Sequence, residues 1–172
     1  MSAAPDLIAP IEAWRVWFVD RSARLRSITF DVPWPVGEPL VATCLHRRRS
    51  WRPPWRVLPV DHDAPDEKCH CGIYGAADRE RTRDYGSFAL PRWAAARVLG
   101  RVQLWGAVLE CEQGWRASYG YPARLYLPTL PRERHRHSYH MAPETIALGL
   151  ADYGVPVEFG DNVPTDIPVP FV

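Results

Sequence analysis

The chain has 172 residues, 47% of them hydrophobic and 24% charged, which is ordinary for one folded domain and too apolar for disorder. Its 21 basic and 20 acidic residues leave a net charge of +1, so no overall field draws it toward nucleic acid or a membrane. No apolar run approaches the roughly 20 residues of a spanning helix, and 4 cysteines are too few for a disulfide scaffold.

The 18 prolines and 8 tryptophans predict short elements joined by rigid turns. The first ten residues lack the basic-then-apolar pattern of an export signal, so a cytoplasmic location with reduced thiols is expected. Residues 12–19 (EAWRVWFV) alternate, which predicts a strand with Trp14, Val16 and Phe18 on one face and Trp17 and Val19 on the other. Residues 25–30 (LRSITF) are expected to pair with it across the turn-forming stretch 20–24. Pro33, Pro35, Gly37 and Pro39 make a stiff loop around Trp34, and residues 40–45 (LVATCL) read as a third strand. A loop rich in proline, arginine and tryptophan over 47–59 and an acidic loop over 61–71 follow. Residues 72–77 fit either a short strand or the entry to a helix through 78–83.

The strongest signal is residues 98–111 (VLGRVQLWGAVLEC), which alternate around Gly106, where a glycine in a strand marks a bulge or bend. Gln113 and Gly114 form the turn, and residues 115–121 (WRASYGY) return as the partner strand, with Trp105 expected in or beside the core. Long hairpins bent at a glycine close small barrels and curled sheets. Residues 125–130 extend this sheet or leave it, and 132–140 form a polar loop rich in histidine. Residues 143–153 predict a short helix, with Pro143 in its first turn and Gly154 as its stop, before a last strand at 155–159. The expected fold is therefore α+β and mainly β: a strongly bent antiparallel sheet or small β-barrel with one or two short helices. A single domain over 1–172 is expected, with loose termini at about 1–10 and 164–172.

The segment HDAPDEKCHCG places His62, Cys69 and Cys71 within ten residues, directly before Gly72. Cys44, near the end of the third expected strand, supplies a fourth ligand of the kind a tetrahedral zinc ion takes. Glycine after Cys71 would let the backbone turn away from the metal. Two other readings stay open. In one, Cys44 and Cys111 are small buried hydrophobes and Cys69 and Cys71 are uncommitted surface thiols. In the other, Cys69 or Cys71 is a reactive thiol with His62 or His70 as its base.

Arg47, Arg48, Arg49 and Arg52 interleave with Trp51 and Trp55, the composition of a surface that binds single-stranded nucleic acid. The acidic residues close behind, Asp61, Asp63, Asp66 and Glu67, argue instead for a solvated loop. Glu110 and Glu112 are expected to face solvent.

Taken together, the stretch His62, Pro65, Cys69-His-Cys71-Gly72-Ile73-Tyr74, the run Gly100-x-Val102-x-Leu104-Trp105-Gly106-x-Val108-x-Glu110, the tetrad Gly114-Trp115-Arg116-Ala117 and the ending Tyr153-Gly154-Val155-Pro156-Val157 resemble a family of uncharacterised actinobacterial proteins. The resemblance implies that Cys44, His62, Cys69, Cys71, Trp105 and Arg116 share one site or core, and that alanine is tolerated at Gly75. It supplies a pattern and no mechanism. The sequence therefore reads as a non-catalytic binding or interaction domain with a zinc site at Cys44, His62, Cys69 and Cys71. A protein partner is compatible with that reading and a membrane is not expected. A small barrel binding single-stranded nucleic acid through residues 47–56 is the alternative, and a thiol-dependent enzyme is the second.

Overall fold

Alternation of large apolar residues makes β1 (Ile11–Asp20), but both of its faces are covered. Trp14, Trp17, Phe18 and Val19 are all buried. Trp17 and Val19 enter the main core, whereas Trp14 builds a smaller cluster with Tyr126, ring centroids 5.9 Å apart. The computed structural model describes residues 9–47, 57–82, 90–127 and 141–159.

After the turn at 21–24, β2 (Leu25–Ser27) pairs with β1 and stops at Ser27 rather than at residue 30. The chain doubles back there: Ser27 N–H donates to the Val32 carbonyl at 2.8 Å, and Trp34 N–H donates to the Leu25 carbonyl at 2.9 Å. That return carries Trp34 out of its expected loop and into the core, where it is 2% exposed, edge-on to Trp17 at 5.4 Å, with Nε1 donating to Ser27 Oγ at 3.0 Å.

The expected strand at 40–45 is two strands, β3 (Leu40–Val41) and β4 (Thr43–Arg47), divided at Ala42. β4 leaves the main sheet and pairs with β5 (Val57–Asp63) in a separate two-stranded sheet. The sequence reads β5 as loop because Pro59 and the Asp61-His62-Asp63 run lack strand character. Proline is tolerated there because each strand of a two-stranded ladder is an edge. β6 (Ile73–Ala76) resolves the ambiguity at 72–77 in favour of a strand, and the expected helix through 78–83 is a single 3-10 turn at Glu80–Thr82.

The long hairpin forms as expected from β7 (Ala94–Cys111) and β8 (Gly114–Leu127). β7 starts earlier than the pattern indicates because Ala94, Ala95 and Ala96 are buried on both faces and show no alternation. The register slips between Trp105 and Val108, and Gly106 there takes a φ of +81°, a left-handed conformation that suits glycine. Trp105 is half-buried at this bend and stacks on Tyr119 at 6.1 Å.

β7 pairs along β1 on one edge and along β8 on the other, β8 pairs with β6, and β6 meets β1 again at Trp14 and Ala76. The antiparallel sheet thus curls until its hydrogen bonding returns to the starting strand, as the mainly β expectation requires. α1 (Pro143–Leu150) and the 3-10 turn Ala151–Tyr153 cover the core with Ile146, Leu150 and Tyr153. The Tyr153 hydroxyl accepts from Leu25 N–H at 3.0 Å and donates to the Trp34 carbonyl at 2.9 Å, tying this segment to β2. β9 (Val157–Phe159) then adds to β8 in parallel. No helix among the described residues is long and apolar enough to cross a membrane.

Gly75, where the resemblance allows alanine, is not free to change. A Cβ there would stand 2.5 Å from Ala13 Cβ and 2.9 Å from Leu104 Cδ1, inside the core at the closing strand. Gly75→Ala is expected to lower stability by roughly 1–3 kcal/mol through overpacking, read as a reduced denaturation midpoint at unchanged m-value.

Candidate metal centre

Three segments supply the cluster, and each aims its side chain by a local feature. Cys44 lies in β4 where the β4–β5 register shifts between Thr43 and Leu45, and such an irregularity re-aims a side chain. His62 is the penultimate residue of β5. Cys69 and Cys71 come from the loop between β5 and β6, which is shaped by a tight turn. Cys69 N–H donates to the Asp66 carbonyl at 3.1 Å, and Lys68 N–H donates to Asp66 Oδ1 at 2.8 Å. Gly72 then turns the chain into β6 with a φ of +119°. A Cβ at Gly72 would sit 3.1 Å from both Arg116 Cβ and Pro65 Cβ, so glycine serves there for space as well as for conformation.

The result is convergence. One ligand atom from each of Cys44, His62, Cys69 and Cys71 lies within 4.8 Å of all the others. The Cys44 and Cys69 sulfurs are 3.6 Å apart, and His62 Nε2 is 3.4 Å from Cys71 Sγ. Tetrahedral coordination at ordinary Zn–S and Zn–N lengths places ligand atoms about 3.6–3.8 Å apart. This Cys3His cluster could therefore hold a metal ion. Cys44 is 1% and Cys71 8% exposed, Cys69 is half-buried, and all four cysteines of the chain are free.

Burial keeps the Cys44 thiol of the cluster protonated in the absence of a cation. Burial, and then hydrogen bonding and charge at Cys69 and Cys71, push the Cys44 thiol up to about 12. Sulfurs packed this closely resist ionisation together, and a bound metal ion reverses that preference by stabilising every thiolate at once. His70, the other candidate base, is exposed and lies outside the cluster. Its carbonyl accepts a hydrogen bond from the Tyr74 hydroxyl at 2.7 Å.

Arg116, from β8, organises the ligand loop from behind. Its Nη1 donates to the carbonyls of Cys71 at 3.0 Å, Asp66 at 3.3 Å and Cys69, and its Nε donates to Cys111 Sγ at 3.3 Å. Burial pulls the guanidinium pKa down, but hydrogen bonding to Cys111 and the nearby Tyr74, Cys111 and Cys71 groups push it up and prevail. A dication with three thiolates and one neutral imidazole carries net negative charge, which the Arg116 cation offsets. Arg116 thus braces the loop that carries Cys69 and Cys71. Trp105 does not: it stacks on Tyr119 at the hairpin bend. Cys111 is a half-buried acceptor for Arg116 rather than a plain core residue.

The carbonyl contacts of Arg116 leave no mark in local sequence, since they depend on β8 passing under a loop some fifty residues away. The turn at Asp66, by contrast, is a local Asx turn. Of the residues read as a nucleic-acid surface, Arg47 closes β4, while Arg48, Arg49, Trp51, Arg52 and Trp55 lie outside the described residues, as does the histidine-rich stretch 132–140. Glu110 and Glu112 are exposed as expected. Comparison with protein-family models, curated proteins and solved structures finds no match to this chain.

Arg116→Gln is expected to weaken metal binding by roughly 10–100-fold, the scale on which groups supporting a ligand shell act. Competition with a chromophoric chelator measures it, and Arg116→Lys, which keeps the charge without the fork of donors, is expected to fall between the two.

Proposed function

We propose that this chain is a non-catalytic binding or interaction domain of the cytoplasm, with a structural zinc ion held by Cys44, His62, Cys69 and Cys71. The convergence of four ligand atoms within 4.8 Å, drawn from β4, β5 and the loop before β6, carries this reading. Three sulfurs and an imidazole select a borderline-soft ion over magnesium or calcium. A set of four protein ligands occupies every tetrahedral corner and leaves none for water or substrate, which is the arrangement of structural rather than catalytic zinc.

The ion's mechanical role follows from topology. β4 and β5 belong to a separate sheet from β6, and the ligands span that division. Zinc would fasten the two-stranded sheet to the curled one through side chains where no backbone ladder among the described residues joins them. A thiol-dependent enzyme centred on Cys69 or Cys71 would instead need its thiolate free for substrate, whereas this reading commits both sulfurs to the ion. A reducing compartment keeps such thiols available to metal.

Purified protein is expected to carry one zinc per chain by elemental analysis. Stripping the metal should cost about 3–4 kcal/mol of stability relative to protein at free zinc a hundredfold to a thousandfold above Kd. Cys71→Ser should abolish the difference between stripped and loaded samples. A chain that purifies without metal and unfolds at the same midpoint with and without added zinc contradicts the proposal.

A further inference from the structure

A cavity of about 900 Å³ opens beside the ligand cluster, and Cys44, His62, Cys69 and Cys71 all contribute to its wall. From its lining we infer that this cavity binds a small organic anion with an apolar, ring-sized body. The inference rests on the reading of the chain as a binding domain and names the class of ligand it takes.

Size and surface come first. Sites for small molecules enclose roughly 300–1,000 Å³ and are mostly apolar with a few placed polar groups. Here the turn after β2 contributes Ile28, Phe30 and Val32, and β3 contributes Leu40. Two further observations suggest that an apolar body belongs there. Phe30 and Tyr74 line the cavity yet are 37% and 40% exposed, a cost in hydrated ring surface that a bound apolar group would remove.

Charge sets the second half of the assignment. Among the described residues, the cations in the lining are Arg15 and Lys68, and the carboxylate is Asp66. Asp66 Oδ1 is already engaged by the Lys68 backbone N–H at 2.8 Å. Arg15 is fixed in place: its guanidinium donates to the Tyr74 carbonyl and, at 3.3 Å, to Ser27 Oγ, and it lies over the Trp34 ring at 5.0 Å. A guanidinium held this way is a preorganised positive charge at the cavity wall. The negative charge of a loaded Cys3His centre is met by Arg116, so it does not cancel the attraction.

The cavity and the metal also share walls. Cys44 on β4 and the loop carrying Cys69 and Cys71 border both, so an ion that fixes those segments fixes the cavity's shape. Binding at either should strengthen binding at the other, by the same factor in each direction.

The test uses the full chain, its metal content measured in every sample, titrated with 1-anilinonaphthalene-8-sulfonate and with uncharged N-phenyl-1-naphthylamine, two probes with the same ring body. Saturable one-to-one binding of the sulfonate is expected, about tenfold tighter than the neutral probe. Lys68→Glu, a change at an exposed side chain, should erase most of that preference. Thr29→Trp, which places a large ring in the cavity from an exposed position, should weaken both probes by about tenfold or more with the near-ultraviolet dichroism unchanged. Equal binding of the two probes overturns the assignment to an anion. Binding untouched by Thr29→Trp, or no saturable binding, overturns the site. A zinc-loaded chain that binds neither probe defeats the cavity proposal alone, and a chain that binds the sulfonate while holding no metal defeats the zinc reading alone.

Discussion

β8 bears hydrogen-bonded neighbours along both edges, and the placement of everything else depends on that double pairing. One edge is taken by β7, while the other receives β6, β3 and β9 at successive stretches of the strand. The sheet cannot lie flat, because β6, paired to one edge of β8, also meets β1, which pairs with the far edge of β7. The right-handed twist of paired strands and the bulge at Gly106 provide the curvature. The circuit closes where β6 touches β1, and the side chains of Ala13, Leu104 and Val102 crowd the space a Cβ at Gly75 would take.

The same strand organises the chemistry. Arg116 lies in the half of β8 that pairs with β6, so its guanidinium emerges beneath the loop that β6 continues. Three backbone carbonyls of that loop converge on a single nitrogen, which defines the shape in which Cys69 and Cys71 are presented. Cys44 and His62 arrive from the other sheet. Burial first, and then the neighbouring Cys69 and Cys71, push the Cys44 thiol up, and a bound cation would reverse that push by stabilising the thiolates. The site is thus held from one side by a cation of the protein and is shaped to take a second cation from outside.

Much of this was legible in sequence, and the boundary follows a physical line. β1, the β7–β8 hairpin and α1 announce themselves because alternation, turn residues and helix punctuation are local signals. The grouping of Cys44 with His62, Cys69 and Cys71 was legible as one candidate from ligand chemistry, beside uncommitted or reactive thiols, and the fold brings the four ligand atoms within 4.8 Å. β5 was not legible: Pro59, Asp61 and Asp63 carry no strand pattern, and only pairing with β4 makes them one. Trp34 read as loop because its burial depends on the chain doubling back at Ser27. The tolerance assigned to Gly75 failed for the same reason, since Ala13 and Leu104 reach it through pairing and not through proximity in sequence.

X-ray absorption at the zinc edge of the purified protein tests the central claim most directly, because it reads the ligand shell itself. The account predicts a shell of three sulfurs near about 2.3 Å and one nitrogen near about 2.0–2.1 Å, with one sulfur lost in Cys44→Ser. A shell of oxygen and nitrogen only, or one unchanged by Cys44→Ser, would contradict it.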